Sequence, residues 1–499
     1  MFKKRRAAAW LILAFFLCAG TVFPGARPEE KFLRYGLAGN PDTLDPHKTS
    51  GTLTFQVIKS LYDTLVEPDE KGRIVPALAE SWTTSADGKL WTFRLRQGVR
   101  FHNGSPLTAE DVRATFLRIK DPATASPKAM DFAAVLDIRT RGEATVEFVL
   151  SEPAAPLLAT LASGWSAILP AALIEKGHAF ASQPVGTGPF IFSEWIRDNK
   201  IIMKKNPSYW MAGLPLLPGI DFRIITERAV RVQGLLSGQL EVCEFYDNVD
   251  VPVLEKNPGT RVEKNLASLV CVIAINTSRV PDLGLRQAIS HAIDKQSVLD
   301  IAYGGGEPVG TFMDFGDPYY KDFTGLYPYD PEKAKTLAAG REFKSPLEIA
   351  VPQNYEPHVR AAQLYQEMLA KAGIPARIRL VDWSTWLEDV YQKANYELTV
   401  IGHTGNLDPD ARLVGYGTEK TYVRWVHPEA ARLIAQARSV SDFAARKRIY
   451  DKVLEIMAKE LPFVYTGTPY LSIGMRKNVE GFRMLPKIDT PDFRRTVLK

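Results

Sequence analysis

The sequence predicts an α/β fold with mixed sheets, because strand patterns and helix patterns follow one another along most of its 499 residues. Residues 89–96 alternate apolar and polar side chains, which is typical of a strand with one buried face. Residues 357–372 form a helical segment that ends at Gly373, and residues 374–381 then alternate again as a strand. A chain of this length is expected to hold two or three domains.

Turn and capping residues set the borders of further elements. After the strand at 89–96, a Gln-Gly pair at 97–98 is expected to turn the chain into a returning strand at 99–101, which would make a hairpin. Thr108 and Asp111 have the spacing of a capping box, which predicts that a helix begins there.

The second half of the chain contains a loop in a position that is typical of ligand sites. Residues 384–394 are predicted as a helix, and residues 398–401 as a short strand that runs into a loop at 402–409. Ligands in α/β sheets bind in crevices beyond the strand ends, so this loop is a candidate for ligand contact. The sequence has no Gly/Ser-rich linker, which favours a hinged protein over separate domains on a flexible chain.

The first 26 residues predict a signal peptide that exports the chain. Basic residues at positions 3–6 precede an uncharged run at 7–23, which is shorter than the roughly 20 residues of a membrane-spanning helix. Removal of this segment lowers the formal net charge from +5 to +1, so the mature chain has no electrostatic footprint for nucleic acid. An uncleaved anchor remains an alternative. A lipid anchor at Cys18 is another, although Leu17 stands where a small residue is expected.

Signatures of catalysis and of metal binding are absent from the sequence. There is no HExxH motif, and the histidines are scattered. Residues 164–166 lack the closing glycine of a nucleophile elbow, and Thr311 stands where a phosphate loop needs lysine. We therefore expect no enzyme activity, no cofactor and no metal. After residue 26 the cysteines are Cys243 and Cys271, which form one disulfide or remain two buried thiols.

A series of short motifs stands in order between about residue 32 and residue 485. They are NPDTLDP at 40–46, LAESW at 78–82, DGKLWTF at 87–93, LRQGVRFHNG at 95–104, LTAEDV at 107–112, VGTGPF at 185–190, NPSYW at 206–210, LRQAI at 285–289, AIDK at 292–295 and ELPF at 460–463. Together they resemble the peptide and nickel family of bacterial extracellular solute-binding proteins, which includes the oligopeptide-binding and dipeptide-binding proteins.

The resemblance implies a periplasmic-binding-protein-like α/β fold, with two lobes joined by a hinge and three intertwined domains with mixed sheets. The first domain would comprise residues 30–62, 185–278 and 463–499. The second would comprise residues 63–184, and the third residues 279–462. The lobes would close on a ligand and exclude water, so that hydrogen bonds to the ligand act in a low dielectric.

The resemblance also implies which residues contact the ligand. Peptide-binding relatives hold the ligand backbone like an added strand, and the corresponding segment here is Thr49, Ser50 and Gly51. Relatives also place a tryptophan of the third domain against the ligand, and Trp383 resembles it. The alternatives are an ordinary polar turn at 49–51 and a tryptophan that packs on the helix that follows it.

The loop at 402–409 departs from the family pattern. Peptide binders carry an aspartate there that pairs with the α-ammonium of the ligand, because a buried ammonium needs a charged partner. Here Asn406, next to Gly405, stands at that position and cannot neutralise the charge. Either Asp408 takes the role, or the ligand lacks a free α-amino group. His403 is either a polar ligand contact or a loop histidine that faces solvent. We expect all four residues to line the ligand site.

The function implied by the resemblance is that of a periplasmic, or otherwise extracytoplasmic, substrate-binding protein of an ABC importer. As a monomer it would capture a peptide or peptide-like solute and deliver it to the permease subunits in the membrane. A binder of a metal chelate, an opine or another modified amine is the alternative on the same fold. A secreted hydrolase or peptidase is the alternative of another class.

Overall fold

The computed structural model describes residues 31–245, 248–404, 407–485 and 490–499. Residues 32–499 cluster as one compact unit. The predicted signal peptide at 1–26, with Cys18, lies outside the described residues, as do Gly405 and Asn406.

The described chain contains both strands and helices, as the sequence predicts, with runs of consecutive strands within residues 66–95, 190–224 and 463–498. The strands are, in chain order, β1 Leu33–Leu37, β2 Val66–Pro68, β3 Ile74–Pro76, β4 Ala79–Thr84, β5 Leu90–Leu95, β6 Val135–Arg141, β7 Thr145–Leu150, β8 Phe190–Ile196, β9 Lys200–Lys205, β10 Gly219–Ile224, β11 Val242–Phe245, β12 Thr260–Leu266, β13 Leu269–Ile275, β14 Gly306–Glu307, β15 Leu347–Pro352, β16 Ala376–Val381, β17 Leu398–Thr404, β18 Phe463–Arg476, β19 Val479–Glu480, β20 Arg483–Leu485, β21 Thr490–Asp492 and β22 Val497–Leu498.

The helices between them are mostly short. They are α1 Thr52–Ile58, α2 Ala109–Lys120, α3 Leu157–Ala162, α4 Ala171–Glu175, α5 Arg228–Ser237, α6 Val251–Lys256, α7 Leu283–Ala292, α8 Lys295–Tyr303, α9 Pro331–Ala338, α10 Glu356–Lys371, α11 Trp383–Thr385, α12 Pro409–Leu413, α13 Pro428–Arg438 and α14 Phe443–Glu460. A π-helix at Trp386–Gln392 continues α11.

One long strand joins the two lobes. The first part of β18 pairs with β13, and its second part pairs with β11 and β12, all antiparallel. Two segments of the chain, residues 267–268 and 467–469, therefore pass side by side from one lobe to the other. Between them the N–H of Ala267 donates to the carbonyl of Pro469 at 2.9 Å. We call residues 32–266 with 470–499 the first lobe, and residues 269–466 the second lobe.

The sheet of the second lobe is covered on both faces. Val270, Val272 and Ala274 of β13 belong to one hydrophobic cluster, whereas Cys271 and Ile273 belong to another. This alternation follows from the period of two in a strand, and it explains why β13 is almost wholly apolar. Within this sheet, β15 runs parallel to both β16 and β17, so the sheet is mixed, as predicted.

The first lobe contains two large sheets and three two-stranded ones among its described residues. Strand β1 runs parallel to β10 and β11, and β8 and β9 extend this sheet antiparallel. A separate antiparallel sheet has the order β4-β5-β7-β6 and buries its own cluster against α2. The four-stranded sheet thus has a core of its own, and the predicted division into three domains, with its boundaries, stays a prediction.

Several local predictions are confirmed. The N–H of Thr108 donates to Asp111 at 2.7 Å in a capping box at the start of α2. Gly373 adopts a left-handed φ of 73° just after α10. The predicted hairpin at 89–101 is wrong, because β5 pairs with β4 and β7 instead. Residues 99–101 fold back locally, where the N–H of Phe101 donates to the carbonyl of Ser105 at 2.9 Å.

The two cysteines of the described chain are buried free thiols. Cys243 lies on β11 of the first lobe and Cys271 on β13 of the second. Among the described residues, no helix has the length and apolar character of a membrane span, and no group of His, Cys, Asp or Glu side chains is arranged to hold a metal ion.

Gly467 lies at the strand crossing and approaches a neighbouring backbone closely. A Cβ at this position would lie 2.5 Å from the carbonyl oxygen of Glu307 on β14 and 2.6 Å from Leu299. We expect Gly467→Ala to lower the free energy of unfolding by about 1–3 kcal/mol, measured by urea denaturation. Gly325→Ala is the control, because it meets open space and is expected to change stability by less than about 0.5 kcal/mol. Equal effects of the two substitutions would contradict this account.

A carboxylate is buried in the first lobe. Glu244 on β11 accepts a hydrogen bond from Gln56 Nε2 at 2.6 Å. Burial raises the pKa of Glu244 to about 7, and the hydrogen bond from Gln56 opposes this shift only in part. The folded protein therefore keeps a proton on Glu244 in a pH range where the unfolded chain, with an ordinary glutamate, has lost it.

The raised pKa of Glu244 predicts a stability that falls as the pH rises. The contribution is complete below about pH 4.5, the ordinary value, and is lost as the pH passes about 7. We expect a loss of about 3 kcal/mol across this window in the wild type, and Glu244→Gln should remove it. Urea unfolding from pH 4.5 to 8 measures the difference, with the exposed Glu152→Gln as control. Parallel pH curves for wild type and Glu244→Gln would disprove the assignment.

Candidate ligand-binding site

The predicted ligand segment of the first lobe is a well-anchored turn. A 3-10 helix at Pro46–Lys48 precedes it, capped by Asp45. The hydroxyl of Thr49 donates to Asp42 at 2.9 Å, and the N–H of Gly51 donates to Thr49 Oγ1 at 3.0 Å. The carbonyl of Gly51 accepts the N–H of Phe55 in α1. Both backbone groups of Gly51 are thus already bonded, and Ser50 is the exposed residue beside it.

His47 and Arg118 hold this turn against the rest of the first lobe. Arg118 pairs with Asp45, and its Nη1 also donates to His47 Nδ1 at 2.7 Å. Burial, with Arg118 nearby, lowers the pKa of His47 to about 4. The ring is therefore neutral, and its Nε2–H donates to the carbonyl of Ala167 at 3.0 Å. The segment at 49–51 therefore begins from a backbone that these contacts hold in place.

Trp383 lies at one end of a stack of aromatic rings in the second lobe. Its ring is parallel to that of Trp386, at 5.1 Å and 3°, and Trp386 is stacked in turn on Tyr391 at 5.8 Å. Trp386 is buried and donates to Thr399 Oγ1 at 3.0 Å. Trp383 therefore packs on the helix that follows it, as the alternative interpretation has it. It also remains 37% exposed, and contact between that face and a ligand stays a prediction.

The π-helix explains why this stack exists. Trp386 and Tyr391 are five residues apart, a spacing that would point them about 140° apart on a regular α-helix. With hydrogen bonds from i to i+5, the two residues fall on the same face. The sequence predicts a helix here but not its π form, and π-turns of this kind are frequent at functional sites.

His403 lies on β17, which extends to Thr404, and it is surrounded by aromatic rings. Its Nε2 is 2.7 Å from the hydroxyl of Tyr422, and its Nδ1 accepts a hydrogen bond from Arg412 Nη1 at 3.0 Å. Burial, with Arg412 nearby, holds the pKa of His403 well below its ordinary value. Because arginine only donates, Nδ1 has the lone pair, and the neutral ring donates from Nε2 to Tyr422. The alternative of a histidine that faces solvent does not fit this position.

Asp408 is engaged by a buried arginine. Both of its oxygens accept hydrogen bonds from Arg446, one of them from Nη2 at 2.8 Å, and both side chains are buried. Its Oδ1 also accepts the N–H of Asp410 at 2.8 Å, which caps α12. The charge of Asp408 is therefore already neutralised inside the protein. This geometry weighs against the hypothesis that Asp408 replaces the missing aspartate of peptide binders.

The loop around Asp408 also touches the first lobe. Leu407 packs against the hydrophobic cluster of the four-stranded sheet. Nearby, the N–H of Ala155 donates to the carbonyl of Arg438 at 2.9 Å, and Arg438 pairs with Asp410 at 3.3 Å. The candidate segments thus lie on both lobes: Thr49, Ser50 and Gly51 on the first, and Trp383, His403 and Asp408 on the second.

Arg412 and Tyr422 belong to the same surroundings as His403, and sequence analysis does not single them out. Arg412 is one of many arginines in the chain, and Tyr422 lies 19 residues after the histidine it contacts. No local motif signals either residue. Only the fold brings them to the end of β17.

Comparisons with known proteins place the chain in a family. Residues 73–422 match the model for bacterial extracellular solute-binding proteins, family 5 middle region. The di/tripeptide-binding protein 2 of Pseudomonas aeruginosa is 31% identical, with 98% of each chain covered. The chain therefore belongs to the family 5 bacterial extracellular solute-binding proteins.

Solved structures agree with this assignment and confirm the lobed α/β fold. AgaA of Agrobacterium tumefaciens, in complex with agropinic acid, is 29% identical with a TM-score of 0.76, over 94% of this chain and 99% of that one. DppA of Helicobacter pylori, in complex with the peptide STSA, is 27% identical with a TM-score of 0.74, over 92% and 98%. These proteins are binders of solutes rather than enzymes.

The pairing of Asp408 with Arg446 predicts a structural role that can be separated from ligand binding. We expect Asp408→Asn to lower the free energy of unfolding by about 3–5 kcal/mol, because it leaves a buried guanidinium without its partner. The double variant Asp408→Asn/Arg446→Met should recover part of this loss. Urea denaturation of the two single variants and the double variant measures the coupling. A fully stable Asp408→Asn protein that no longer binds ligand would instead make Asp408 a ligand contact.

Proposed function

We propose that the protein captures a peptide or peptide-like solute between its two lobes and presents the closed form to the permease subunits of an ABC importer. The observation that carries this proposal is the strand crossing at residues 267–268 and 467–469, with candidate ligand segments on either side. A pair of strands can bend there while each lobe keeps its own cores. The protein would act as a monomer outside the cytoplasm, after loss of residues 1–26, and would have no catalytic activity.

Closure would be the signal that the importer reads. A ligand shifts the balance between open and closed forms only by its difference in affinity for the two. Contacts that exist only in the closed form, such as those from the second lobe to a ligand held on the first, supply this difference. The packing of Leu407 against the first lobe supports a role for the start of α12 in closure.

A peptide ligand is supported by the relatives that are named for di- and tripeptides and by the structure of DppA with a peptide. A modified amine is the second candidate, and two observations favour it. AgaA was solved with agropinic acid, and Asp408 is already paired with Arg446. With Asn406 at the position of the ammonium-binding aspartate, the ligand would bind without a free α-amino group.

Native mass spectrometry of the protein purified from its host tests this proposal. We expect a bound solute of defined mass, recovered chemically intact after release. Incubation with labelled di- and tripeptides should give binding and no cleavage products. Turnover of a labelled peptide would contradict the proposal in favour of a secreted peptidase.

The exposed face of Trp383 is proposed to contact the ligand, so its removal should weaken binding. We expect Trp383→Ala to lower the affinity by about three- to tenfold, because stacking on an aromatic face contributes about 0.5–1.5 kcal/mol. Calorimetric titration with the recovered solute measures the change. Trp195→Ala, on β8 of the first lobe and outside the predicted ligand segments, is the control. An affinity within twofold of the wild type would exclude Trp383 from the site.

A further inference from the structure

Arg412 lies on α12, the helix that follows β17 in the chain, and carries a charge that the described residues do not balance. Its Nη1 donates to His403 Nδ1 at 3.0 Å, and its Nη2 donates to the carbonyl of Thr404. Its guanidinium carbon lies 5.6 Å from the centre of the Phe312 ring. All of these partners are neutral. Among the residues that the structure describes, no carboxylate forms an ion pair with Arg412.

Two other largely buried arginines are each balanced by a carboxylate, whereas the buried Arg231 donates to main-chain carbonyls and, unlike Arg412, is closed off from solvent. Arg446 is bound by both oxygens of Asp408, and Arg118 by both oxygens of Asp45. Arg412 is only partly exposed, and burial lowers its pKa, yet an arginine stays protonated in proteins. A cation in such surroundings, with no carboxylate beside it, is poised to bind an anion.

The contacts of Arg412 also orient it. A guanidinium has five N–H donors in one plane, and His403 and Thr404 accept two of them. His403 is itself held by Tyr422, so the plane of the fork is fixed on one side. The remaining donors belong to a side chain that is partly exposed. A planar carboxylate is the group that matches such a fork best.

We propose that Arg412 binds an anionic group of the ligand, so that the solute is an acidic peptide or peptide-like compound with a carboxylate at the end of β17. The proposal rests on the proposed function and names its ligand class. It agrees with the state of the nearby Asp408, whose charge is neutralised by Arg446. A ligand ammonium would meet a cation here, whereas a carboxylate would meet its partner.

Titration with a matched set of probes tests which group is recognised. The probes are Ala-Glu, Ala-Gln, the C-terminal amide of Ala-Glu, and N-acetyl-Ala-Glu, each measured by calorimetry at one ionic strength. We expect Arg412→Gln to lower affinity at least about tenfold for the probes that carry the recognised carboxylate. Ala-Gln keeps only the terminal carboxylate and the amide keeps only the side-chain carboxylate, so the two distinguish the source. Arg412→Lys, which keeps the charge but not the fork, should lie between.

Arg424→Gln is the matched control. Arg424 is an arginine of the same lobe whose guanidinium donates to the main-chain carbonyls of Glu419, Gln392 and Lys393. We expect this variant to bind all four probes as the wild type does. The proposal is overturned if Arg412→Gln weakens every probe equally, regardless of its carboxylates, because a purely structural arginine would act in that way.

A second measurement does not depend on peptide binding. Succinate, added at fixed ionic strength, should raise the melting temperature of the wild type by about 2 °C and that of Arg412→Gln by much less. An equal shift in both proteins overturns the role of Arg412. If no peptide probe binds the wild type while succinate still discriminates between the two proteins, the peptide proposal fails and the anion site stands.

Discussion

The antiparallel pairing of β18 with partners in both lobes is the constraint on which the rest of the structure depends. Its hydrogen bonds run from β13 on one side of the crossing to β11 and β12 on the other. A shift of one residue would turn every side chain to the opposite face, so both cores fix the register of this strand. The pairing is irregular between Cys271 and Val272, next to Gly467, where the chain passes from one lobe to the other. Each lobe can therefore be rigid while the connection between them is not.

The surroundings of the candidate site are fixed by polar pairs as much as by packing. Asp408 and Arg446 anchor the start of α12, and the π-helix holds Trp383 and Tyr391 on either side of the buried Trp386. A surface that recognises a solute gains affinity when its groups are already ordered before binding. These contacts give the second lobe a wall of aromatic rings beside the end of β17.

Local sequence signals predicted where helices and strands begin and end better than which strands and side chains pair with each other. The capping box at Thr108 and the helix end at Gly373 depend on residues within a few positions, and both are confirmed. The prediction of a hairpin after residue 97 was wrong, because β5 pairs with β4 and β7 instead. The family resemblance made Asp408 a candidate ligand contact, but its partner Arg446 is 38 residues away and no sequence pattern links the two. His403 is likewise neutral because burial, and then the nearby Arg412, lower the pKa of its ring. Only the fold brings these two causes together.

The two buried thiols of the described chain have a practical consequence for observing the protein at work. Cys243 and Cys271 lie in different lobes, and burial raises the pKa of both, to about 12 for Cys271. Thiolate is the form that reacts with alkylating dyes, so these two positions should stay unlabelled in the folded state. A new cysteine on the surface of each lobe would then accept a donor and an acceptor dye without removal of the native ones. The distance between the lobes could be followed by energy transfer in otherwise unaltered protein.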